Sequence, residues 1–292
     1  MQRARNRGLQ LVLTLVLVAY TLFALFPIYW TIITAFKTQK AVSAPRPSFV
    51  PWIDFQPTLK PFLDIFVPSQ GQGYGVSGMG AVGLLMRNSF GAAFFSALFS
   101  VALGAMAAYA LSRFRYERWK NEDIAFWFVS QRMLPPIALV VPYFLFFGRI
   151  GMLDKLPTLI VVYTAMNLPL VIWLLRDYFT DLPLEIEEAA MVDGASRYEA
   201  FFRIVLPLAL PGLVVAFLFA FVFSWNEFMF ALTLTVQNAK TLPLQLAGNV
   251  TLRGPRYWDI AAQGLVVMLP PLLIAILAGR YMVRGLTLGA VK

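Results

Sequence analysis

Six long apolar runs constrain this chain more than any other feature of its sequence, because a run of that kind has few stable conformations open to it. They cover residues 9–36, 85–111, 124–147, 156–175, 208–234 and 260–278. About 20 mainly apolar residues are needed to cross the hydrocarbon core of a bilayer. Backbone groups in lipid must be bonded within the chain, and these runs exceed the roughly 9–11-residue strands of a membrane barrel, so each is expected as a helix. The expected fold is an all-α integral membrane protein with six transmembrane helices in a single domain, residues 1–292. Only 13% of the residues are charged and the mean hydropathy is +0.70, against roughly 25% charged in soluble domains.

The first run follows Arg3, Arg5 and Arg7 as in a signal peptide, but it is too long for an h-region and no small-residue cleavage site follows. It is therefore expected as a retained helix. Six crossings leave both termini on one side. Short basic clusters close to the spans mark the cytoplasmic face: the N-terminal arginines, then Arg113, Arg115, Arg118 and Lys120, and finally Arg280, Arg284 and Lys292. Lys37, Lys40 and Arg87 lie on the other side, in and beside a long loop of the kind that biases orientation less. The expectation is a multi-pass protein of a bacterial inner membrane with both termini cytoplasmic.

A net charge of +9 raises the question of nucleic acid, but that reading needs a basic face on a soluble module, and none is present. With no cysteine and no histidine, disulfides, thiolate or imidazole metal sites and the familiar Ser-His-Asp and Cys-His nucleophiles are excluded. No Gly-Lys-Ser or Gly-Lys-Thr occurs, so the chain carries no P-loop of its own.

The first external connection, about residues 37–84, is rich in proline and then in glycine. Within it Gly73, Gly75 and Gly78 match a dinucleotide fingerprint, but no strand precedes them and a loop is expected. In the second run Ala92, Ser96, Ser100, Gly104, Ala108 and Ser112 recur every four residues. Such a stripe of small side chains favours close helix contact in lipid, with a neighbour from this chain or from another.

Between the fourth and fifth runs, at about 176–207, the sequence turns acidic: seven of the fifteen carboxylates lie from Asp177 to Glu199. Asp181 is expected to cap a helix whose first turns hold Glu185, Glu187 and Glu188, where negative charge suits the helix dipole. Pro183 fits the opening turn, and Gly194 can end the helix in a left-handed conformation. Ser196 and Glu199 then form a capping box. Tyr198, Phe201, Phe202 and Val205 recur at helical spacing and are expected to form one apolar face. By itself this helix–glycine–helix element reads either as a partner surface or as a solvated hairpin.

The full spacing here is Glu188-Ala189-Ala190, three residues, Gly194, nine residues, Ile204, one residue, Leu206-Pro207. It resembles the EAA loop of ABC importer permeases. The tail from Arg284 to Lys292 and the segment Ser224-Trp225-Asn226-Glu227-Phe228 are similar to carbohydrate permeases of the maltose-permease G type. The resemblance implies a type I ABC importer permease fold for a subunit that passes a sugar, polyol or sugar derivative and sits in membrane lipid. It implies as partners a second related permease, two ATPase subunits that bind the ATP and Mg, and an external solute-binding protein. Neither a cofactor nor a catalytic residue is implied in this chain. Carried over by position, Glu188 pairs with a basic residue of the ATPase, Ala189 and Ala190 allow close approach, and Gly194 makes the bend. Asp193, Ile204, Leu206 and Pro207 complete the coupling element. Gly285, Leu286, Thr287 and Gly289 belong to the tail, about 280–292, which reaches between the ATPases.

Charged groups within a span usually face an aqueous path or pair inside the bundle. Arg132 and Glu227 qualify, in the company of Asn167, Trp225 and Asn226. Each suits either a sugar path, through hydroxyl-matched polar groups and an aromatic face, or an interhelical bond that fixes packing. An alternative function, an ion-coupled secondary transporter, would use Glu227 as its proton or sodium site. A third, a membrane scaffold or sensor, would use these groups for packing alone.

Overall fold

The computed structural model describes residues 2–66, 79–247, 250–251 and 254–288. Its principal helices are α1 (Gln2–Ala35), α2 (Met79–Arg113), α3 (Asn121–Ser130), α4 (Pro136–Arg149), α5 (Leu156–Asp181), α6 (Leu184–Val192), α7 (Arg197–Ala200), α8 (Leu210–Trp225), α9 (Met229–Leu234) and α10 (Tyr257–Leu288). Among the described residues the only strands are Val250–Thr251 and Gly254–Pro255, a short antiparallel pair. The glycines at 73, 75 and 78 lie outside the described residues. The external loop is shorter than expected, since α2 already begins at Met79.

Among the described residues four helices are long and apolar enough to cross a membrane, and the number rises to six where each of two bent pairs counts as one span. The runs 124–147 and 208–234, expected as single helices, are therefore broken. Between Met133 and Pro136 the axis turns by 85°. Leu134, which precedes Pro135, is extended at ψ 120°, because a proline ring disfavours helical backbone in the residue before it. Between Leu208 and Leu210 the axis turns by 74°. Ala209 leaves helical geometry there, and Pro211 opens the next helix without needing an N–H partner. The fifth run also ends early, at Trp225, with α9 as a separate short helix.

The chain divides into two compact units. The first comprises Met1–Val82 and Gln245–Met268. Its core joins Ala35, Ile65, Val82, Ala261 and Ala262, with Phe36 and Phe62 packed against it. The apolar window of α1 is not buried by the chain at all.

The second unit comprises Gly83–Leu244 and Leu269–Lys292. Here the small-residue stripe of α2 finds its neighbours in this same chain. Ser96 donates to Ser224 Oγ of α8 at 2.8 Å, and Ser100 donates to the Thr164 carbonyl of α5 at 3.2 Å. Such bonds and close packing hold helices together where lipid removes the hydrophobic drive. At Gly104 a β-carbon would lie 2.6 Å from Val171 Cγ1, so only glycine admits α5 at this distance.

One carboxylate organises the loops at an end of this unit. Asp154 sits at φ 57°. Its oxygens accept N–H bonds from Val236, Gln237, Asn238 and Ala239 at 2.9–3.1 Å, while its own N–H donates to the Leu234 carbonyl at 2.8 Å. Desolvation opposes ionisation at this site, but the four backbone donors outweigh it and hold the Asp154 pKa down to about 2.

Two predictions follow from these contacts. Replacement of Gly104 by valine should overpack the α2–α5 contact at a cost of about 1–3 kcal/mol, lowering Tm in detergent; combining Gly104→Ala with Val171→Ala should restore most of it. For Asp154, a folded pKa below the unfolded one means stability present above the unfolded value of 3.8 and lost as pH falls toward 2. Asp154→Asn should therefore lower Tm at neutral pH and flatten the wild-type decline in Tm on acidification.

Candidate functional site

The acidic connection folds as a helix, a left-handed glycine and a second helix. Gly194 has φ 94°, a conformation that L side chains rarely adopt, and its N–H returns to Met191 O at 3.1 Å. Ser196 and Glu199 form the expected capping box, with Ser196 N–H donating to the carboxylate at 2.9 Å. Asp181 does not cap α6. It is the last residue of α5, and Pro183 takes the N-cap position of α6 instead. Leu182, which precedes Pro183, is extended at ψ 132°, so α5 runs as far as Asp181 and ends there.

Adjacent residues on a helix point about 100° apart, and this separates the roles of Glu187 and Glu188. Glu187 is buried and Glu188 is exposed. The Glu187 carboxylate accepts from Arg113 Nε at 2.7 Å and from Tyr109 Oη at 2.9 Å, both on α2. The same guanidinium donates through Nη2 to the Leu182 carbonyl at 3.0 Å, satisfying the end of α5. Around this centre Tyr109 packs on Phe201 at 4.6 Å and on Phe179 at 6.0 Å between ring centroids.

The expected single apolar face of the second helix is split in two. Phe201 and Val205 are buried, whereas Tyr198 and Phe202 are exposed. Residues 201–205 form a π-helical turn, whose wider winding shifts the register between one half and the other. The outer surface of the element thus combines Glu188, Ala189, Asp193 and Gly194 with Val192, 87% exposed, and Tyr198, 80% exposed. Ala190 turns inward, Ile204 and Leu206 are half-buried, and Pro207 is exposed. The backbone of α10 continues through Gly285, Leu286 and Thr287. Gly289 lies outside the described residues.

The intramembrane polar residues are not gathered into one cluster. Asn167 is buried and donates to Ser224 Oγ at 2.7 Å and to the Ala220 carbonyl at 3.3 Å. Trp225 is 1% exposed and stacks on Phe221 with centroids 5.7 Å apart. Glu227 accepts the N–H of Phe230 at 3.0 Å and of Ala231 at 3.2 Å, serving the start of α9. Arg132, at the break between α3 and α4, is exposed and lies over the Phe223 ring at 4.6 Å. Asn226 is exposed at the end of α8 and donates to Val222 O at 2.8 Å.

Sequence reasoning missed Tyr109, Arg113 and Glu187 as a unit. Arg113 was legible only as one of a basic cluster that marks orientation. The Glu187-Glu188 doublet was the available signal, since adjacent residues on a helix point about 100° apart and can take different roles.

Residues 100–287 match the family model described as "Binding-protein-dependent transport system inner membrane component". The chain is 32% identical to the trehalose/maltose transport system permease protein MalG of Thermococcus litoralis, across 93% of this chain and 92% of that protein. It is 38% identical to the trehalose transport system permease protein SugB of Mycobacterium tuberculosis, across 70% of this chain and 75% of that protein. The fold is similar to that in a crystal structure of a bacterial ABC transporter involved in the import of the acidic polysaccharide alginate. The TM-score is 0.68 at 21% identity, covering 95% of this chain and 97% of that one.

Glu187→Ala should leave Arg113 buried without its carboxylate and destabilise the fold by about 3–5 kcal/mol. Glu188→Ala, on the exposed face, should change stability by no more than about 0.5 kcal/mol. Thermal melts of the two purified variants check the contrast.

Proposed function

Because the chain belongs to the family of binding-protein-dependent transport system inner membrane components, we propose that its exposed Glu188–Tyr198 surface is the seat of the ATPase in a sugar importer. As a permease subunit of an ABC importer it is not itself an enzyme; ATP hydrolysis belongs to a separate subunit. The observation that carries the reading is the division of labour in α6. Glu187 fastens the helix to α2, which leaves Glu188, Val192 and Asp193 facing outward on a mounted element. A socket with a basic residue and an apolar wall complements that surface. A helix end gripped in such a socket transmits rigid-body motion to the helices behind it, as a two-state gate requires.

The rest of the assembly follows from the same reading. It comprises two ATPase subunits that hold ATP and Mg, a second related permease against this one, and an external solute-binding protein that delivers the substrate. The termini and the coupling element face the cytoplasm, and the segment of α10 carrying Gly285, Leu286 and Thr287, with Gly289 beyond it, reaches toward the ATPases. The relatives named for trehalose and maltose support a sugar or polyol as cargo. Arg132 and Asn226, exposed at helix breaks, are the candidates for the path wall, while Asn167, Trp225 and Glu227 serve the packing of the bundle. The Glu227 carboxylate serves backbone donors at the start of α9, and the relatives, which are ABC permeases, give no support to an ion-coupled transporter.

Purification of the tagged chain from its native membrane in mild detergent tests the reading. The wild type should bring down an ATPase and a second permease, and Glu188→Lys should lose the ATPase while keeping the permease. Gly194→Val, strained at φ 94°, should lower uptake relative to ATP hydrolysis in the assembled complex. A wild type that purifies without any ATPase, or normal coupled uptake by Gly194→Val, overturns the proposal.

A further inference from the structure

The first unit holds a cavity of about 880 Å³ that neither the coupling element nor the candidate path uses. Its walls are the last turns of the α1 span, the segment that follows it to Ser48, and the first turns of α10. Lys37 lines it and is 2% exposed. Its Nζ donates to the Ser48 carbonyl at 2.6 Å and lies over the rings of Trp30, at 4.3 Å, and Phe55, at 5.0 Å. Burial lowers the Lys37 pKa, opposed by the Asp54 carboxylate.

Two hydroxyl-bearing residues, Thr34 and Ser48, line the same space. The hydroxyls of Thr34 and Ser48 are buried, and neither has a hydrogen-bond partner among the described residues. Buried polar groups are ordinarily satisfied. Two unmet hydroxyls beside a desolvated ammonium make a site that lacks an acceptor-rich, anionic group. The remaining wall is apolar, with Val42, Pro45, Leu246 and Ile260. Trp30 and Tyr257, also at the cavity, stand at the end of one candidate span and the start of another. Aromatic residues at such positions lie at headgroup level.

We propose that this cavity binds the phosphate of a phospholipid headgroup, with the Lys37 ammonium and the Thr34 and Ser48 hydroxyls as donors and the apolar wall against its glycerol and upper acyl carbons. Phosphate chemistry is shared with soluble organophosphates, but the apolar wall and the neighbouring span-end aromatics Trp30 and Tyr257 favour the lipid. The site is independent of the sugar-import reading, so either can fail without the other.

Native mass spectrometry of the full-length protein, with any subunits that purify with it, taken from nanodiscs of phosphatidylglycerol mixed with diacylglycerol, tests this. The wild type should retain phosphatidylglycerol in preference to the neutral lipid. The double variant Thr34→Val with Ser48→Ala removes two hydroxyls that have no partner to orphan, and should assemble normally. It should retain phosphatidylglycerol at least about tenfold more weakly, as expected for loss of two hydroxyl donors to an anion. Ser48→Ala alone gives a milder second reading of the same loss. Equal retention by wild type and variants, or no preference over diacylglycerol, overturns the proposal. Displacement of the adduct by excess glycerol 3-phosphate overturns the lipid as its source.

Discussion

Glu187 fastens α6 to α2 through Arg113 and Tyr109, and the mounting of the helix–glycine–helix element depends on that contact. A buried ion pair is a poor source of net stability, because desolvation of both charges offsets most of their attraction. Its geometric effect is larger. Arg113 donates to Glu187 and to the Leu182 carbonyl with one rigid guanidinium, so the ends of α2 and α5 and the body of α6 meet at a single side chain. A planar fork of this kind fixes angle as well as distance. The ring cluster of Tyr109, Phe179 and Phe201 encloses the pair and keeps out the water that would loosen it. The outward direction of Glu188 is thus a consequence of the inward fastening of its neighbour.

The two broken spans obey the same physics in the opposite sense. Irregular backbone at membrane depth is tolerated only where protein covers it or an aqueous cavity meets it. The breaks at Leu134 and Ala209 follow from prolines, and the exposed polar side chains Gln131, Arg132 and Asn226 lie at helix ends in these two spans. The Arg132 guanidinium over the Phe223 ring brings α8 and the α3–α4 break together. A cation that rests on an aromatic face keeps hydrogen-bonding capacity in its plane.

The helical spans, the small-residue face of α2, the turn at Gly194 and the capping box were all legible, because each is set by local spacing or by one residue's conformational limits. Elsewhere the deciding partner was distant in sequence. Glu187 meets residues more than 70 positions away, and Asp154 gathers N–H groups more than 80 positions away. Periodicity on one helix carries no information about either. The split of Phe201 and Val205 from Tyr198 and Phe202 was hidden for a different reason: a π-helical turn breaks the 3.6-residue period on which the reading of one face rested. Asp181 was misread because aspartate is a good cap wherever a helix begins, and here α5 did not end before it.

Two kinds of unmet surface remain on the chain, and their compositions separate the neighbours they need. Most of the α1 span, from Leu11 to Ile28, is predominantly apolar and left exposed by the rest of the chain. Lipid or another apolar helix satisfies it without any polar matching. Around the coupling element, Val192, Tyr198 and Phe202 are as exposed, yet they stand among Glu188, Asp193 and Arg197. Lipid tails would leave those charges unsolvated, while water alone would leave the large apolar side chains uncovered. A protein socket with apolar depth and charged rims would serve both, which supports the α6–α7 surface as the proposed seat of the ATPase.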